Sequence, residues 1–258
     1  MFLRNPVEED QLNNSLKRHW AIEVYDEVPS TMDVAEEKVM ATSSPLLILA
    51  KKQSSGRGRQ GRVWESPEGG FYGTYAFTTN SASTSFGGFS LAVGLSLVRS
   101  LGIDVDLLKL KWPNDLVSHD GRKLGGILID VKHKSNSTIA LIGIGINLLK
   151  ISTKNIDAIS VEELSGKLLT PIRTAMMLSD GVFETFNIFL EKEFSFFKAG
   201  WLKCSYGYNR RFVVESGGDC VDGLFRDIGN DGSLVLETRE GPRVLASGHI
   251  KRIYAADD

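Results

Sequence analysis

Four short stretches of this chain carry residue types able to do chemistry. The first, residues 51–64, reads KKQSSGRGRQGRVW and holds five basic residues and no acid. Gly56, Gly58 and Gly61 let the backbone turn tightly and bring its amides close to a ligand. Such amides, beside Arg57, Arg59 and Arg62, make a site for an anion, either phosphate or carboxylate. The same composition also describes a flexible arginine–glycine loop that touches RNA or nothing. Its place directly after a buried strand favours ligand binding. It is not a Walker-type phosphate loop, because no Gly-Lys-Ser/Thr ends it.

The second stretch, residues 109–117, reads KLKWPNDLV. Pro113 and Asn114 suit the centre of a type I turn that ends a strand and sets Lys111, Asn114 and Asp115 at its mouth. A lysine there can hold phosphate, and a carboxylate can hold magnesium or a ribose hydroxyl. On spacing alone, an ordinary strand-ending turn explains it as well. The third, residues 122–130, reads RKLGGILID. Gly125 and Gly126 inside an apolar strand call for a close approach to the backbone. Lys123 just before them can neutralise a substrate carboxylate, or simply sit solvated at the strand end. The fourth, residues 142–148, reads IGIGINL. Gly143 and Gly145 at alternate positions leave one strand face bare for a flat apolar ligand or a close-packed helix. Asn147 offers an amide at the end of that strand.

The elements that must position these residues follow from periodicity. Residues 22–28 read as a first strand stopped by Pro29, and Ser30 as the cap of a short helix bearing Val34, Ala35, Val39 and Met40. Residues 46–50 read as a buried strand, 72–79 as an aromatic and β-branched strand, and 88–101 as a buried helix. Residues 108–112, 125–131 and 139–146 read as strands, with a polar hairpin-like stretch at 132–137. Residues 171–201 carry the strongest helical pattern, opened by Pro171. Beyond Cys204 the texture changes to short strands at 212–215, 223–228, 233–237 and 243–246, with turns at 230–232 and 239–241. That spacing suggests a small barrel of about 50 residues, with a boundary near residue 205. The rest mixes strands and helices without strict alternation, so a mixed-sheet α/β or α+β domain is expected rather than a Rossmann fold.

Composition excludes several classes. The 258 residues suit one large domain, or one of about 200 residues plus a small one. Thirty basic residues against 32 acids leave a formal charge of −2, unlike a protein that lives by wrapping nucleic acid. Cys204 and Cys220 are too few for a disulfide framework, and no Cys/His cluster offers a zinc site. No apolar run approaches the ~20 residues of a membrane helix. Residues 1–10 carry three acids and no apolar stretch, so they do not read as a secretory signal. A reduced, cytoplasmic setting is expected.

Taken together, Ser30-Thr31, Gln53 with GRGRQGRVW, KWPNDL, KLGGIL and GIGIN resemble, in that order and spacing, the biotin–protein ligase family. The likeness spans roughly residues 20–150 and extends weakly into the C-terminal strands. It implies an α+β catalytic domain over residues 1–204, with a mixed sheet like that of class II aminoacyl-tRNA synthetases, and an SH3-like barrel over 205–258. The implied substrates are biotin and ATP with Mg²⁺, and the implied partner is a biotin carboxyl carrier protein or domain. Biotin would be activated as biotinyl-5′-AMP and then transferred to a carrier lysine. The implied biotin contacts are Ser30, Thr31, Met32 through its backbone, Gln53, Gly56, Arg57, Gly58, Arg59, Tyr72, Lys123, Gly126 and Gly143. The implied ATP contacts are Arg57, Arg59, Arg62, Trp64, Lys111, Asn114, Asp115 and Asn147. Lys123, Arg59 and Lys111 are the implied catalytic residues, and Asp115 the one residue suggested for magnesium or the incoming lysine. No nucleophilic Cys–His or Ser–His–Asp set is needed, because no covalent enzyme intermediate forms.

Two departures from the family pattern stand out: Met32 where Asn is common, and Gln60 where a basic residue is common. Only about 20 residues precede the first strand, so a short form without a winged DNA-binding domain, and hence no repressor activity, is expected. Monomer and homodimer both remain open. Two rival functions share parts of the pattern. A lipoate or octanoate ligase on the same fold would lack GRGR-x-GR-x-W or use a reactive cysteine, and both cysteines here lie at or beyond the boundary. A non-enzymatic nucleic-acid module is opposed by the near-zero charge and by acids such as Asp219, Asp227 and Glu237 in the C-terminal strands.

Overall fold

The computed structural model describes residues 19–39, 41, 44–80, 85–134, 137–150 and 157–255. Met40, the first 18 residues and the tip of the 132–137 hairpin lie outside them, so the readings made there have no structural counterpart. Strand β1 (Ala21–Val28) runs parallel to β2 (Leu46–Gln53), and helix α1 (Thr31–Val39) crosses between them. Ser30 starts that helix: its Oγ accepts the Met32 amide at 3.3 Å. All other pairings in this sheet are antiparallel. They join β3 (Gly70–Thr79), β4 (Leu108–Lys111), β5 (Asp115–Ser118), β6 (Lys123–Lys134) and β7 (Ser137–Asn147), in the spatial order β1-β2-β3-β7-β6-β5-β4. The sheet is mixed, as expected, and has no Rossmann alternation.

The sheet's two faces are divided by the strand period of two. In β2, Leu47 and Leu49 enter the main core, whereas Leu46 and Ile48 join Ala76, Leu141 and Met32 beneath α1. The main core is covered by α2 (Phe89–Leu101) and α4 (Pro171–Lys192), with α3 (Val161–Ser165) and α5 (Lys198–Cys204) at its margins. The site described below occupies the opposite face, beside the start of α1.

The C-terminal strands β8 (Arg211–Ser216), β9 (Asp219–Ile228), β10 (Leu234–Thr238), β11 (Gly241–Leu245) and β12 (His249–Tyr254) form an antiparallel sheet in the order β11-β10-β9-β8-β12. Among the described residues no β11–β12 pairing closes it. This sheet shares its core with the first: Phe212, Phe225 and Leu234 belong to the same cluster as Trp112 and Trp201. Trp112 Nε1 donates to the Gly232 carbonyl at 3.0 Å. Gly232, at φ 82°, lies so close to Gly88 that a Cβ on it would stand 2.3 Å from the Gly88 Cα.

Several expectations are corrected. The helix over 171–201 is broken: α4 stops at Lys192, Glu193 takes φ 53°, and a single 3₁₀ turn (Phe194–Phe196) leads into α5. The break lets Phe194 bury its ring against Gly88, where a Cβ would meet Phe194 Cγ at 2.6 Å. The 3₁₀ turn keeps steps of three, so the apolar periodicity ran through it unbroken. In place of the simple turn at Trp112–Asp115, Lys111 pairs with Asp115 across a three-residue loop with a cis Trp112–Pro113 bond. Strands β5 and β12 and helix α3 were not anticipated. In β12 a register shift between Ile250 and Arg252 breaks the alternation that would have revealed it. Among the described residues no helix is long and apolar enough to cross a membrane.

Candidate functional site

Strand register builds the floor. Tyr72 pairs with Gly145, Gly145 with Gly126, Gly126 with Asp115, and Asp115 with Lys111, one row across β3, β7, β6, β5 and β4. The next row sets Thr74 beside Gly143 and Gly143 beside Leu128. Two adjacent glycines thus make a bare strip ending in a carboxylate and an ammonium. The sheet's own neighbours rest on it. A Cβ at Gly145 would stand 2.6 Å from Nε1 and Cε2 of Trp64, and one at Gly143 would stand 2.8 Å from the Met32 Sδ.

A register shift between Leu116 and Val117 re-aims Lys123 into this cleft. Its Nζ lies 2.7 Å from Asp115 Oδ1 and 5.3 Å from the centre of the Trp64 ring. The backbone of Lys123 is held by the segment beside it: its amide donates to the Asp157 carbonyl and its carbonyl accepts from Ile159.

The basic loop folds back over the cleft as a tight hairpin. The Gly58 amide donates to the Arg62 carbonyl at 2.7 Å, and Gln60 supplies the left-handed tip at φ 55°. Gln60, flagged as a departure, therefore has a backbone task. Arg57 pairs with Asp33 of α1 at 2.8 Å, and Arg59 Nη1 donates to Asn114 Oδ1 at 3.2 Å. Asn114 is fixed in turn, its amide donating to the Ile127 carbonyl at 2.8 Å. Arg57, Arg59, Arg62, Lys111 and Lys123 all face the cleft, and Asp115 is the single carboxylate among its described lining residues. Burial makes Lys111 and Arg59 easier to deprotonate than usual; Asp115 opposes this for both, while Lys123 adds to it at Lys111 and Arg62 at Arg59. Such a cleft attracts anions strongly.

At the α1 end the lining turns from charged to polar. Gln53 Oε1 accepts from the Thr31 amide at 2.8 Å and from the Thr31 hydroxyl at 3.1 Å, and Gln53 Nε2 donates to Ser66 Oγ at 2.9 Å. Thr74 Oγ1 donates to Thr31 Oγ1 at 2.8 Å. Ser30 and Met32 complete that end.

Of the residues expected from sequence, three do not reach the cleft. Tyr72 lies on the right face, but its ring runs toward Gly70 and its hydroxyl donates to the Pro67 carbonyl at 2.8 Å; burial pushes that phenol's pKa upward. Gly56 is packed against the Trp64 carbonyl, 2.3 Å from where its Cβ would be, and so shapes the loop's base. Asn147 is buried, its amide donating to the Lys123 and Ile159 carbonyls at 3.3 Å each. It holds the backbone of Lys123 and is not among the residues lining the cleft. Conversely, His249 on the cleft's rim was missed, as were Ser66 and Thr74, which lie outside the lining and bond Gln53 and Thr31. His249 enters from β12 beside Gly248 and Ile250, and its pKa is lowered by burial first and then by Arg62, Lys251 and Lys111. Nothing in its own strand's pattern marked it.

Comparison with known proteins fits this geometry. The Biotin/lipoate A/B protein ligase family matches residues 24–147, the segment holding the second half of β1, all of β2 through β7 and every cleft residue except the β12 rim. The match takes in 124 of the 258 residues. Among similar curated proteins of the family are the bifunctional ligase/repressor BirA of Escherichia coli, 28% identical over 84% of this chain and 69% of its own length, and the biotin–[acetyl-CoA-carboxylase] ligase of Paracoccus denitrificans, 26% identical over 79% and 88%. A solved biotin protein ligase of Aquifex aeolicus, in complex with biotin and ATP, superposes with a TM-score of 0.74 at 26% identity, covering 89% of this chain and 97% of that one. Octanoyl-transfer chemistry through a cysteine finds no support: Cys204 is buried and its thiol is pushed up by that burial, and Cys220 lies in β9 outside the cleft.

Proposed function

We propose that this chain is an ATP-dependent biotin–protein ligase. Biotin's carboxylate attacks the α-phosphorus of ATP, pyrophosphate leaves, and a carrier lysine amine then displaces AMP from the mixed anhydride. The carrying observation is the cleft itself: a Gly145–Gly126 strip with no side chains of its own, the Trp64 ring lying over Gly145, that runs from a polar pocket at Thr31 and Gln53 to a cluster of five cations. The polar end suits a cyclic urea, the strip suits an apolar ring and chain, and the cations suit the junction of a carboxylate with a triphosphate. Bringing two anions together requires their repulsion to be offset, and Arg59, Lys111 and Lys123 are placed to do so. Lys123 takes the biotin carboxylate, exchanging Asp115 for it. Arg57, Arg59 and Arg62 line the loop that shields the anhydride from water. Trp64 and Asn114 face the nucleotide, Gly58 and Gly126 allow the ligand to lie close, and Gly143 makes room for Met32 beside it.

Magnesium is expected to arrive with ATP. Among the described residues no three His, Cys, Asp or Glu side chains gather into a metal site, and a lone carboxylate such as Asp115 suits an ion that keeps waters and phosphate oxygens. The acceptor is a biotin carrier protein. A cytoplasmic setting, and a second domain over residues 205–258 that supplies the His249 rim, complete the reading. Intact-mass spectrometry of a biotin carboxyl carrier domain incubated with enzyme, MgATP and either biotin or octanoate tests it. A biotin-sized adduct on one lysine, absent without ATP, is expected; an octanoyl adduct instead would overturn the substrate assignment.

A further inference from the structure

A second hollow lies against the cleft. It holds about 350 Å³ between the start of α2, β6 and the β9–β10 turn of the C-terminal sheet. Arg59, Asn114, Ile127 and Leu128 line both spaces. The 3.2 Å bond from Arg59 to Asn114 therefore stands in the wall between them. Ser90, Ile129, Asp231 and Ala246 line the second hollow alone.

The C-terminal sheet is pinned at this place. Trp112 Nε1 donates to the Gly232 carbonyl at 3.0 Å, and a Cβ on Gly87 would stand 2.9 Å from the Asp231 carbonyl oxygen. The turn is braced as well: Asp231 Oδ1 accepts from the Ser233 amide at 3.0 Å and from the Ser233 hydroxyl at 2.6 Å. These bonds hold the Asp231 carboxyl below its usual range, so it stays ionised at neutral pH. Ser90 has its proton engaged, Oγ donating to the Pro113 carbonyl at 3.0 Å. Among the described lining residues two carry charge: Asp231, exposed at the outer end, and Arg59 in the inner wall.

The proposed reaction brings three bodies together. With biotin and ATP in the cleft beneath the arginine loop, the acceptor amine needs its own approach to the acyl carbon. An exposed carboxylate draws a lysine in as its ammonium. Trp112, Leu128 and Ile129 suit its hydrocarbon stem. The cations around Arg59 then disfavour its charged form. We propose that the acceptor lysine enters through this second hollow, between β6 and the C-terminal sheet, and attacks past the Arg59–Asn114 partition. This rests on the ligase reading above and deepens it, because it gives the C-terminal sheet the outer wall of the acceptor's entrance. The amine nitrogen bonds to the acyl carbon, the C–O bond to phosphate breaks, AMP leaves with that electron pair, and the two protons shed by the ammonium pass to water.

The test separates nucleophiles by size. The whole chain receives biotin and MgATP with either a biotin carboxyl carrier domain or hydroxylamine, which is small enough to reach the anhydride by any opening. Ala246→Trp plugs the hollow from an exposed position. Transfer to the carrier should fall by about tenfold or more. Pyrophosphate release in the first step and hydroxamate formation should stay at the wild-type level. Asp231→Asn keeps the oxygen that Ser233 needs and removes only the charge. Its KM for the carrier should rise about twofold to fivefold at low salt, with kcat unchanged, and return to the wild-type value at high salt. Carrier transfer at the wild-type rate in Ala246→Trp, or equal losses with carrier and hydroxylamine, would overturn the proposal, as would an unchanged carrier KM in Asp231→Asn. A wild type that forms neither the carrier adduct nor the hydroxamate would overturn the ligase reading itself, a distinct outcome.

Discussion

Removing the Lys123 ammonium separates its binding role from its structural one. Its Nζ is 2.7 Å from Asp115 Oδ1, with side-chain exposures of 25% and 24%. Such a pair lies between exposed pairs, worth about 0.2–1 kcal/mol, and buried ones, whose breakage costs about 3–5 kcal/mol. Lys123→Met keeps an unbranched stem against Trp64. It does not strand Asp115, on which Lys111 and Arg59 also act. The cost to folding should therefore be about 1 kcal/mol, or a fall of roughly 2–4 °C in Tm. The cost to biotin should be larger: a hydrogen bond between charged groups is worth about 1.5–3 kcal/mol, so affinity should fall by about tenfold to 150-fold. Titration with biotin and with its methyl ester isolates the charge. Biotin should lose this factor, and the ester should bind the variant as it binds wild type. Equal losses for both ligands, or no loss for biotin, would refute the carboxylate assignment.

Three further expectations follow from particular contacts. Arg59→Gly removes one loop-to-Asn114 bond and no core contact, so Tm should hold while the activated intermediate escapes; mass spectrometry should find bystander lysines biotinylated, and strict retention of the intermediate would count against the role of Arg59. Gly143→Ala drives a Cβ to 2.8 Å from Met32 Sδ, which should cost about 1–3 kcal/mol and weaken biotin. Met32→Ala added to it should recover part of both losses, and simple additivity in the double variant would exclude the contact as the cause. His249 binds a proton less readily folded than unfolded, so the unfolded chain takes up the extra proton as pH drops through about 6.5 and stability declines below that value. His249→Gln should flatten that part of the decline in Tm between about pH 7.5 and pH 5; an unaltered slope would show that His249 does not contribute.

Local pattern made the pieces of this site legible, and pairing made the rest illegible. Gly143 and Gly145 announce a bare face because side chains alternate along any strand. That Gly145 lies beside Gly126, and Gly126 beside Asp115, depends on register between strands, which no single segment contains. Lys123 could be read as a cation next to glycines, but only a bulge opposite Leu116 turns it into the cleft. Tyr72 shows the converse: alternation put it on the correct face, yet Gly70, where a Cβ would stand 2.3 Å from the Tyr72 hydroxyl, leaves room for its ring to turn away. The roles of Ser66 and Thr74 are hydrogen bonds between distant segments, and His249 sits on a strand whose alternation is broken. The same limit applies to the fold. The helix break at Glu193 serves Phe194 and Gly88, about a hundred residues apart, and the local period carried no trace of it.

The cleft is assembled from residues very far apart in the chain, and this gives its synthesis a direction. The arginine loop leaves the ribosome first, the glycine floor of β7 some ninety residues later, and the rim around His249 about another hundred after that. At about 5–20 residues per second, roughly 10–40 s separate loop from rim. Throughout that interval the emerging polypeptide displays its cations with no finished chamber behind them. The cleft is therefore whole only once the last strand, β12, has been made.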